Sequence, residues 1–344
     1  MAPETTSRPG DHASNPPEPA LEPRRALITG ISGQDGSFLA EQLLAEGYRV
    51  SGLLRGGPDA SLGASEHLRA QLELIGGELL DDASLRAALE RVHPHELYHL
   101  AAPSFVPDSW ERPAQTLAAI AGASTVLLEA VRELDPAIRV FVASSGAMFG
   151  AASESPQREE TCCRPDTPYA VAKLATHQQV AALRAHDGLY ACSGILYNHE
   201  SERRPERFVT RKITRAAAAV KLGLAREVLL GDLGAVRDWS FAGDIVRGAR
   251  LMLRQERPDD YILASGHPHT VGELADTAFA CLELVAERYV RVDPALVRSP
   301  EPTPLVGDPA KARRELGWQA QLSFEELVER MVRADLQALQ GAAR

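Results

Sequence analysis

The chain has 344 residues, of which 44% are hydrophobic and 24% are charged, and its formal net charge is −10 at pH 7. This size allows one large hydrophobic core, or one core with a smaller lobe beside it. The acidic balance argues against a general nucleic-acid or anionic-membrane binder, and an anionic ligand would need local positive charge. No apolar run approaches the ~20 residues of a membrane span, so we expect none.

The N-terminal segment and the cysteines indicate the setting of the chain. Residues 1–23 are rich in Pro, Glu and Ser and have neither an apolar core nor an Arg-rich amphipathic pattern, which predicts a disordered tail. The cysteines lack C-x-x-C spacing and a secreted context, so we expect reduced thiols and a cytoplasmic location. They are Cys162, Cys163, Cys192 and Cys281. No cluster has the spacing of metal ligands, and we predict no metal site.

Short apolar segments of β type alternate with longer helical patterns along the first part of the chain. The predicted strands are residues 26–29, 48–54, 97–102, 140–143 and 191–197. Helical patterns lie between them, at residues 38–45, 124–134 and around Tyr169 and Lys173. This alternation predicts an α/β fold over residues 24–197, a Rossmann-type doubly wound parallel sheet with helices on both faces.

After residue 198 the alternation becomes irregular. Thr270 with Glu273, and Ser323 with Glu326, have the spacing of capping boxes and predict the starts of two late helices. We expect residues 198–340 to form mainly a smaller C-terminal α/β lobe that binds the substrate, with some segments returning to the first domain. This lobe would close over the carboxyl edge of the sheet, where open α/β sheets bind ligands.

The first chemical motif is a glycine-rich turn between a predicted strand and a predicted helix. Gly30, Gly33 and Gly36 are spaced as Gly-x-x-Gly-x-x-Gly, not as the Gly-x-Gly-x-x-Gly of the standard dinucleotide fingerprint. Glycines allow a tight turn and a close approach of the backbone to a pyrophosphate, which rests on the helix N-terminus. Such turns also end strands for structural reasons alone. The flanking strand and helix, and the residues described below, favour nucleotide binding.

Arg55 ends the second predicted strand, where an NAD-dependent enzyme usually has an acid for the ribose hydroxyl. A cation at this position suits a 2′-phosphate. The residue therefore predicts NADP rather than NAD, although a solvated arginine at a strand end is the simpler alternative.

Tyr169 and Lys173 form the Tyr-x-x-x-Lys pair of nucleotide-dependent dehydrogenases, and Ser145 stands where such enzymes have a hydroxyl partner. A tyrosine with an ordinary pKa of about 10 is a poor base at neutral pH. A lysine ammonium on the same helix face, one turn away, favours the phenolate. Tyr169 is thus the predicted acid/base for a sugar hydroxyl. We expect Lys173 to lower its pKa and hold the ribose, and Ser145 to share the proton.

Two further segments carry a family resemblance. Residues 194–204, which contain Asn-His-Glu-Ser followed by Arg203 and Arg204, and residues 208–213 resemble the substrate loop of GDP-mannose 4,6-dehydratases. These are extended short-chain dehydrogenase/reductases. The similarity runs from about residue 25 to residue 336 and includes Arg237-Asp-Trp239, Arg298 with Glu301, Gly307-Asp308 and Leu316-Gly-Trp318.

The resemblance implies where both ligands bind. For the cofactor it implies Gly30, Ser32, Gly33, Gln34, Asp35, Gly36, Arg55, Glu78, Leu79, Leu100, Ala101, Ala102, Ser104, Tyr169, Lys173, His199 and Arg204. For a GDP-sugar substrate it implies Ser104, Asn198, Val209, Lys212, Arg237, Arg298 and Glu301. Lys212 and Arg237 suit a diphosphate in an otherwise acidic protein, the alternative being ordinary surface charges. A homodimer through two helices per subunit, or a homotetramer, is also implied.

Four features depart from the family pattern. Ala147 stands where the family has the Glu that removes the C5 proton during water elimination, and a methyl group cannot accept a proton. Ser145 replaces a Thr and keeps the hydroxyl. Pro103 and Phe105 replace a Gln and a His, which makes the wall beside the sugar more apolar. Residues 56–58 replace Arg-Ser-Ser, which weakens the 2′-phosphate site and a loop that supports tetramers.

These departures leave three functions open. Because loss of a positioned base costs ~10²–10⁴-fold, our main hypothesis is hydride transfer at C4 of a GDP-hexose without elimination, by a 4-epimerase or a 4-keto reductase. A GDP-mannose 4,6-dehydratase remains the alternative if another group replaces the missing Glu. The candidates are Glu200, Glu202, Asp108, a thiol of Cys162 or Cys163, and water. A non-catalytic NADP-binding protein is the third hypothesis, but it has no need for the Ser145, Tyr169 and Lys173 trio.

Overall fold

A computed structural model describes residues 22–297 and 303–342. Within these residues, seven strands form one parallel sheet in the order β10-β6-β5-β4-β1-β2-β3. The strands are β1 Arg25–Thr29, β2 Arg49–Leu54, β3 Glu73–Gly76, β4 Glu96–His99, β5 Arg139–Ala143, β6 Ala191–Leu196, β7 Asn198–Glu200, β8 Val228–Leu230, β9 Val236–Phe241, β10 Tyr261–Leu263, β11 Pro268–Thr270 and β12 Val290–Val292. The predicted 1–23 tail lies almost wholly outside the described residues.

Helices cover both faces of this sheet. They are α1 Gln34–Ala45, α2 Asp82–Val92, α3 Asp108–Glu111, α4 Pro113–Leu117, α5 Ala123–Leu134, α6 Pro168–Asp187, α7 Val209–Lys221, α8 Ala242–Met252, α9 Val271–Ala280, α10 Ala310–Leu316 and α11 Phe324–Ala342. One buried cluster joins the sheet to α1, α8 and α10, and another joins it to α2, α5 and α6. The predicted α/β fold with a doubly wound parallel sheet is therefore confirmed.

The strand order places a cleft at the carboxyl edge of the sheet. Successive connections run in opposite directions from β1, so the loops after β1 and β4 separate there. Such a switch point is where open α/β sheets bind ligands. The Gly30 turn follows β1 and the Leu100 segment follows β4, which brings two predicted cofactor segments to this cleft.

The C-terminal part builds a second core above that edge. Helices α7, α9 and α11 pack around a cluster that includes Trp239, beside a small sheet of β11, β9 and β7. Both capping boxes are present: Thr270 with Glu273 at the start of α9, and Ser323 with Glu326 at the start of α11. Strand β7 follows β6 directly but pairs with β9, so the chain passes at this point from the large sheet to the second core.

One helix contradicts the expectation that no apolar run approaches the length of a membrane span. Pro113–Leu134 is a continuous helical segment of 22 residues with a mean hydropathy of 1.4 over its most apolar window. Leucine, isoleucine and valine side chains, with alanines between them, give this value. Half of that window is buried inside the protein. Length and composition are therefore weak evidence for a span here, since a core helix has the same properties.

Candidate active site

The glycine turn is held tightly against the neighbouring loop. Gly30 has φ +79°, and a Cβ there would lie 2.9 Å from the backbone nitrogen of Ala101. A Cβ on Gly36 would lie 2.3 Å from the carbonyl oxygen of Gly30, so a side chain would force α1 away from the turn. Glycine is thus needed at both positions, for backbone conformation at one and for close packing at the other.

The N-terminus of α1 is shaped to receive an anion. The helix begins after Gly33, which has no side chain to cap it, and no side-chain cap hydrogen bond is formed there in the described structure. The first backbone N–H groups of the helix therefore point toward the cleft with the positive end of the helix dipole. Because Gly33 is exposed and has no side chain, the pyrophosphate of a dinucleotide can approach the backbone there, and the residues present fit such a cofactor.

An acid in the first turn of α1 is neutralised from the second core. Oδ2 of Asp35 lies 2.9 Å from Nε2 of His199, whose Nδ1 lies 2.7 Å from the carbonyl oxygen of Tyr197. Burial favours the uncharged forms, but the mutual attraction prevails: the pKa of Asp35 is lowered and that of His199 is raised. Arg204 also contributes to lowering the Asp35 pKa. The carboxylate thus carries its own counter-charge beside the proposed pyrophosphate position.

A second set of hydrogen bonds joins the same two segments. The amide of Gln34 donates to the carbonyl oxygen of His199 at 3.1 Å and accepts from the hydroxyl of Ser201 at 2.8 Å. Ser201 is fully buried. Sequence reasoning named Gln34 but not Ser201, although Ser201 belongs to the quoted Asn-His-Glu-Ser run, which was the available signal.

The side chain of Arg204 is held in place by Glu200 and Phe208. Its Nε lies 3.1 Å from Oε2 of Glu200, a buried carboxylate that also accepts from the hydroxyl of Thr210 at 2.7 Å. Its guanidinium carbon lies 3.6 Å above the ring of Phe208. The contact with Glu200 is an ion pair without good hydrogen-bond geometry, because Nε of Arg204 makes no hydrogen bond.

The predicted catalytic trio lies just after the end of β5 and in the first turns of α6. Thr167 caps α6, with Pro168 at the first helical position, so Tyr169 and Lys173 lie in its first turns. Nζ of Lys173 donates to the carbonyl oxygen of Ala143 at 2.6 Å and lies 5.8 Å from the centre of the Tyr169 ring. Ser145 follows β5, and its hydroxyl accepts from the backbone N–H of Ala147 at 3.2 Å.

The pKa values in this trio follow from burial and neighbouring charge. Burial raises the pKa of Tyr169, and the hydrogen bond of Ser145 and the charge of Arg204 oppose that rise. Burial also lowers the pKa of Lys173 to about 8. His99 below them stays neutral, because burial and Lys173 lower its pKa to about 3. Tyr169 is therefore a phenol in the absence of ligands and needs added positive charge to act as a base.

Ala147 lies in an apolar wall beside Tyr169. The cluster around the phenol contains Ile120, Ala172, Ala102, Val106 and Ala147. The side chain of Ala147 is half-buried, so the site that would receive a Glu opens partly toward the cleft. No member of this cluster can accept a proton from carbon other than Tyr169 itself.

The carboxylates considered as replacements for the missing Glu are engaged elsewhere. Glu200 is buried with Arg204 and Thr210, and Glu202 forms a two-pronged ion pair with Arg330 at 2.7 and 2.8 Å. Asp108 lies 3.1 Å from Arg207. Cys163 packs in a cluster different from that of Tyr169, and burial raises the pKa of its thiol. Water is the candidate base that needs no rearrangement of these pairs.

The remaining residues implied for the cofactor follow β2, β3 and β4. Arg55 is exposed at the end of β2 and is followed by Gly56 and Gly57, both with positive φ. Glu78 is exposed after β3, and its N–H donates to the hydroxyl of Ser84 at 3.0 Å. Leu79 is partly buried against the cluster under β1–β5. Leu100, Ala101 and Ala102 continue from β4, where the hydroxyl of Thr29 accepts from the N–H of Ala101 at 3.2 Å.

The residues implied for the substrate are distributed over three elements. Ser104 is exposed in the loop after β4, and Asn198 is exposed at the start of β7. Val209 and Lys212 lie in the first turn of α7, exposed and half-buried respectively, and Arg237 is half-buried on β9. Arg298 and Glu301 lie outside the described residues. Next to Arg237, the buried Asp238 accepts hydrogen bonds from Ser265, Gly266 and Gly307. These bonds give the Asp of the Arg237-Asp-Trp239 motif a structural role.

Comparison with known proteins places the chain in a family. Residues 27–331 match the family model described as GDP-mannose 4,6 dehydratase. The chain belongs to the GDP-mannose 4,6-dehydratase family. It is 44% identical over 330 residues to GDP-mannose 4,6 dehydratase 2 of Arabidopsis thaliana, covering 92% of this chain and 88% of that protein. The resemblance noted from the Asn-His-Glu-Ser segment is thereby confirmed.

Solved structures extend this assignment to the fold. UDP-glucose 4-epimerase of Thermus thermophilus, in complex with NAD, has a TM-score of 0.78 at 26% identity and covers 90% of this chain and 98% of its own. RMD of Pseudomonas aeruginosa, complexed with NADPH, has a TM-score of 0.78 at 23% identity, with 92% and 99% covered. Members of the family are nucleotide-sugar enzymes of the extended short-chain dehydrogenase/reductase type. The family description favours dehydration over our main hypothesis of a 4-epimerase or 4-keto reductase.

Proposed function

We propose that this protein is an NADP-dependent GDP-mannose 4,6-dehydratase in which water replaces the usual carboxylate base. The observation that carries the proposal is the assembly of Ser145, Tyr169 and Lys173 beside an uncapped glycine turn, within a chain 44% identical to a dehydratase. The Asp35–His199 pair supports it, because this pair lets an acidic first turn tolerate a pyrophosphate.

The reaction divides into three steps, and the trio serves the first and last. Tyr169 takes the proton of the C4 hydroxyl, and Ser145 bridges between them. A nicotinamide cofactor, when bound, supplies the hydride acceptor and donor and, in its oxidised form, a positive charge that favours the phenolate. Lys173 adds a second positive charge 5.8 Å from the Tyr169 ring. The glycine turn, Arg204 and His199 would hold the cofactor.

The middle step removes water across C5 and C6 of the 4-keto sugar. The ketone makes the C5 proton acidic and a base takes it. The C6 hydroxyl receives the proton that Tyr169 removed from the C4 hydroxyl and leaves as water. With Ala147 in the apolar wall, and with Glu200 and Glu202 engaged in ion pairs, we assign the C5 proton to water. Asp108, whose pair with Arg207 is half exposed and weak, is the remaining carboxylate candidate. This step should then be slow by ~10²–10⁴-fold relative to an enzyme with a placed carboxylate.

A second candidate function follows from the same observation. If elimination is too slow, the 4-keto sugar rotates in the site and is reduced at C4 from its other face, which gives 4-epimerase activity. Reduction of a separately supplied ketone gives 4-keto reductase activity. Ala147 favours this candidate, whereas the family description favours dehydration. The non-catalytic alternative is the weakest, because Lys173 is buried at a cost that a simple binder has no reason to retain.

We assign NADP as the cofactor on the strength of Arg55. Its guanidinium is exposed at the end of β2, where it can pair with a 2′-phosphate. Arg55→Asp should invert the preference between NADP and NAD in binding titrations, and an unchanged ratio would refute the assignment.

We also propose a cytoplasmic enzyme that forms a homodimer through α4 and α6, or a homotetramer that contains this dimer. The large side chains Trp110, Leu117 and Val171 are 64%, 45% and 47% exposed on α3, α4 and α6, which pack side by side. The four cysteines are unpaired, as a cytoplasmic location predicts. Light scattering after gel filtration would measure the mass, and a monomeric Leu117→Asp variant would support this face.

The proposed reaction is tested by incubation with GDP-mannose and a catalytic amount of NADP, followed by mass spectrometry and proton NMR. A product lighter by one water supports dehydration. An isomer of equal mass supports the 4-epimerase. Absence of any product, together with reduction of a supplied GDP-4-keto sugar, supports the reductase.

A further inference from the structure

Two loops from opposite sides of the cleft meet above the proposed sugar site. Phe105, in the loop after β4, packs edge-to-face on Phe208, the residue before α7, with ring centres 5.4 Å apart at 87°. These residues are about a hundred positions apart in the chain and belong to the large sheet and the second core, respectively. Their contact closes one side of the cleft.

A charged pair lies beside the ring pair and joins the same loops. Nη1 of Arg207 donates to Oδ2 of Asp108 at 3.1 Å, and the guanidinium carbon of Arg207 lies 4.6 Å above the ring of Phe105. We call Phe105, Asp108, Arg207 and Phe208 the clasp. Both charged side chains are about half exposed, so water screens the pair and its opening is inexpensive.

The clasp lies directly beside the residues that the proposed function uses. Ser104 precedes Phe105 and Val209 follows Phe208, and the family resemblance implies both for the nucleotide sugar. Val106, next to Phe105, packs in the same cluster as Tyr169. On the other side, the face of Phe208 carries Arg204 at 3.6 Å. A closed clasp therefore fixes the surroundings of the phenol as well as the entrance.

We propose that the clasp is a gate that retains the oxidised sugar nucleotide until elimination is complete. The inference rests on the proposed C4 oxidation. After the hydride has left C4 and the proton has left its hydroxyl, the ketone stays bound while water slowly takes the C5 proton and the C6 hydroxyl departs. Early release would free a 4-keto sugar that still has its C6 hydroxyl and leave the cofactor reduced. An enzyme without a placed base has particular need of such retention.

The binding kinetics of a GDP with a fluorescent label test the gate without catalysis. The clasp contacts are made in the ligand-free protein, so opening is required both for entry and for exit. In Phe105→Ala and Arg207→Ala we expect association and dissociation rates to rise together by about tenfold, with Kd changed by less than about twofold. Arg86→Ala, which breaks the exposed Arg86–Glu133 pair far from the cleft, is the matched control.

Each other kinetic result overturns the proposal. A rise of the dissociation rate alone, with Kd weakened in proportion, would show that these side chains merely contact the ligand. Unchanged rates would show that the clasp is only structural. The charge-swapped variant D108R/R207D should restore the slow rates of the wild type in part, and failure to do so would exclude the ion pair from the gate. Failure of labelled GDP to bind any form would reject the proposed substrate and the gate together.

Leakage of the intermediate provides a second readout. Reaction with GDP-mannose is quenched with borodeuteride, which labels any free 4-keto sugar that retains its C6 hydroxyl. We expect several-fold more of this species from Phe105→Ala than from the wild type or Arg86→Ala. Equal amounts, with product still formed, would overturn the gate and leave the proposed function intact. No oxidised sugar from any variant would contradict the proposed function instead.

Discussion

Nε2 of His199 lies 2.9 Å from Oδ2 of Asp35 although the two residues are 164 positions apart, and this pair connects the cofactor turn to the second core. The other ring nitrogen of His199 faces a carbonyl oxygen, which can only accept. Both nitrogens must therefore carry hydrogen, and the imidazole is held as a cation. The Asp35 carboxylate and the His199 imidazolium together carry no net charge beside the proposed pyrophosphate position.

Cofactor affinity should depend on the protonation of this pair. The pKa of His199 is raised, so the positive charge that it contributes to cofactor binding is complete below pH 6.5. That charge is lost as the pH rises through the raised pKa. Asp35, whose pKa is lowered, keeps its negative charge until the pH falls to that lowered pKa. Above the His199 pKa an unbalanced Asp35 carboxylate repels the phosphates, and we expect NADP affinity to fall in fluorescence titrations.

The variant His199→Gln should bind NADP more weakly at pH 6 and lose most of this pH dependence. His186→Gln is the control, because His186 makes a similar pair with Asp187 at 2.8 Å on the exposed end of α6. An unaltered pH profile in His199→Gln would mean that other groups govern the affinity.

Lys173 should lower the stability of the ligand-free protein. Burial lowers its pKa from the usual 10.5 to about 8, so the folded chain binds its proton less tightly than the unfolded chain does. That cost is complete below about pH 8 and is relieved as the pH rises toward 10.5. Lys173→Met should raise the free energy of unfolding at pH 7 by on the order of 1–3 kcal/mol, after the lost hydrogen bond to Ala143 is discounted.

Chemical denaturation at pH 7 and pH 10 would measure this effect, and the gain should shrink at the higher pH. The same variant should have lost its turnover of GDP-mannose. A less stable Lys173→Met protein would show that the hydrogen bond to the Ala143 carbonyl, 2.6 Å long, outweighs the cost of burying the charge.

Tyr169→Phe should remove proton transfer while leaving the cofactor site intact. The ring stays in the apolar cluster with Ile120 and Ala172, and the charges of Asp35 and His199 are unaffected. We expect turnover to fall by ~10²–10⁴-fold with unchanged NADP affinity. Tyr190→Phe, which loses a hydroxyl bonded to backbone carbonyls far from the trio, is the control. Retained turnover in Tyr169→Phe would reject the phenol as the acid/base.

Ala147→Glu should accelerate elimination if only the base is missing. The position is half-buried next to Tyr169, so the carboxylate would partly face the cleft. A negative charge there would also raise the pKa of Tyr169 further and move the pH optimum of C4 oxidation upward. Ala147→Gln has nearly the same shape without the base. Equal elimination rates in the Glu and Gln variants would show that the apolar wall has changed how the sugar is held.

Local spacing predicted the parts of the site that depend on one element or one turn. The glycines after β1, the Tyr169–Lys173 pair on α6 and both capping boxes follow from short patterns whose geometry is fixed by the backbone. The partners of these groups could not be predicted this way. Ser201 meets Gln34, and Phe208 meets Phe105, only because the second core docks on the sheet edge, and no local pattern encodes that docking.

The prediction that no apolar run approaches the length of a membrane span was wrong for Pro113–Leu134, where polar residues interrupt the aliphatic ones along the sequence. The preference for epimerase or reductase chemistry relied on Ala147 alone. That residue removes a base but does not exclude water, whereas the remainder of the chain matches a dehydratase family over residues 27–331.

The most direct measurement follows deuterium placed at C4 of GDP-mannose through one turnover with unlabelled NADP. If Tyr169 and its partners oxidise C4 and the reaction continues through dehydration, the product is lighter by one water and proton NMR shows the deuterium on its C6 methyl group. Deuterium that remains at C4 of recovered substrate or of an isomer, with no label at C6, would contradict the proposed dehydratase.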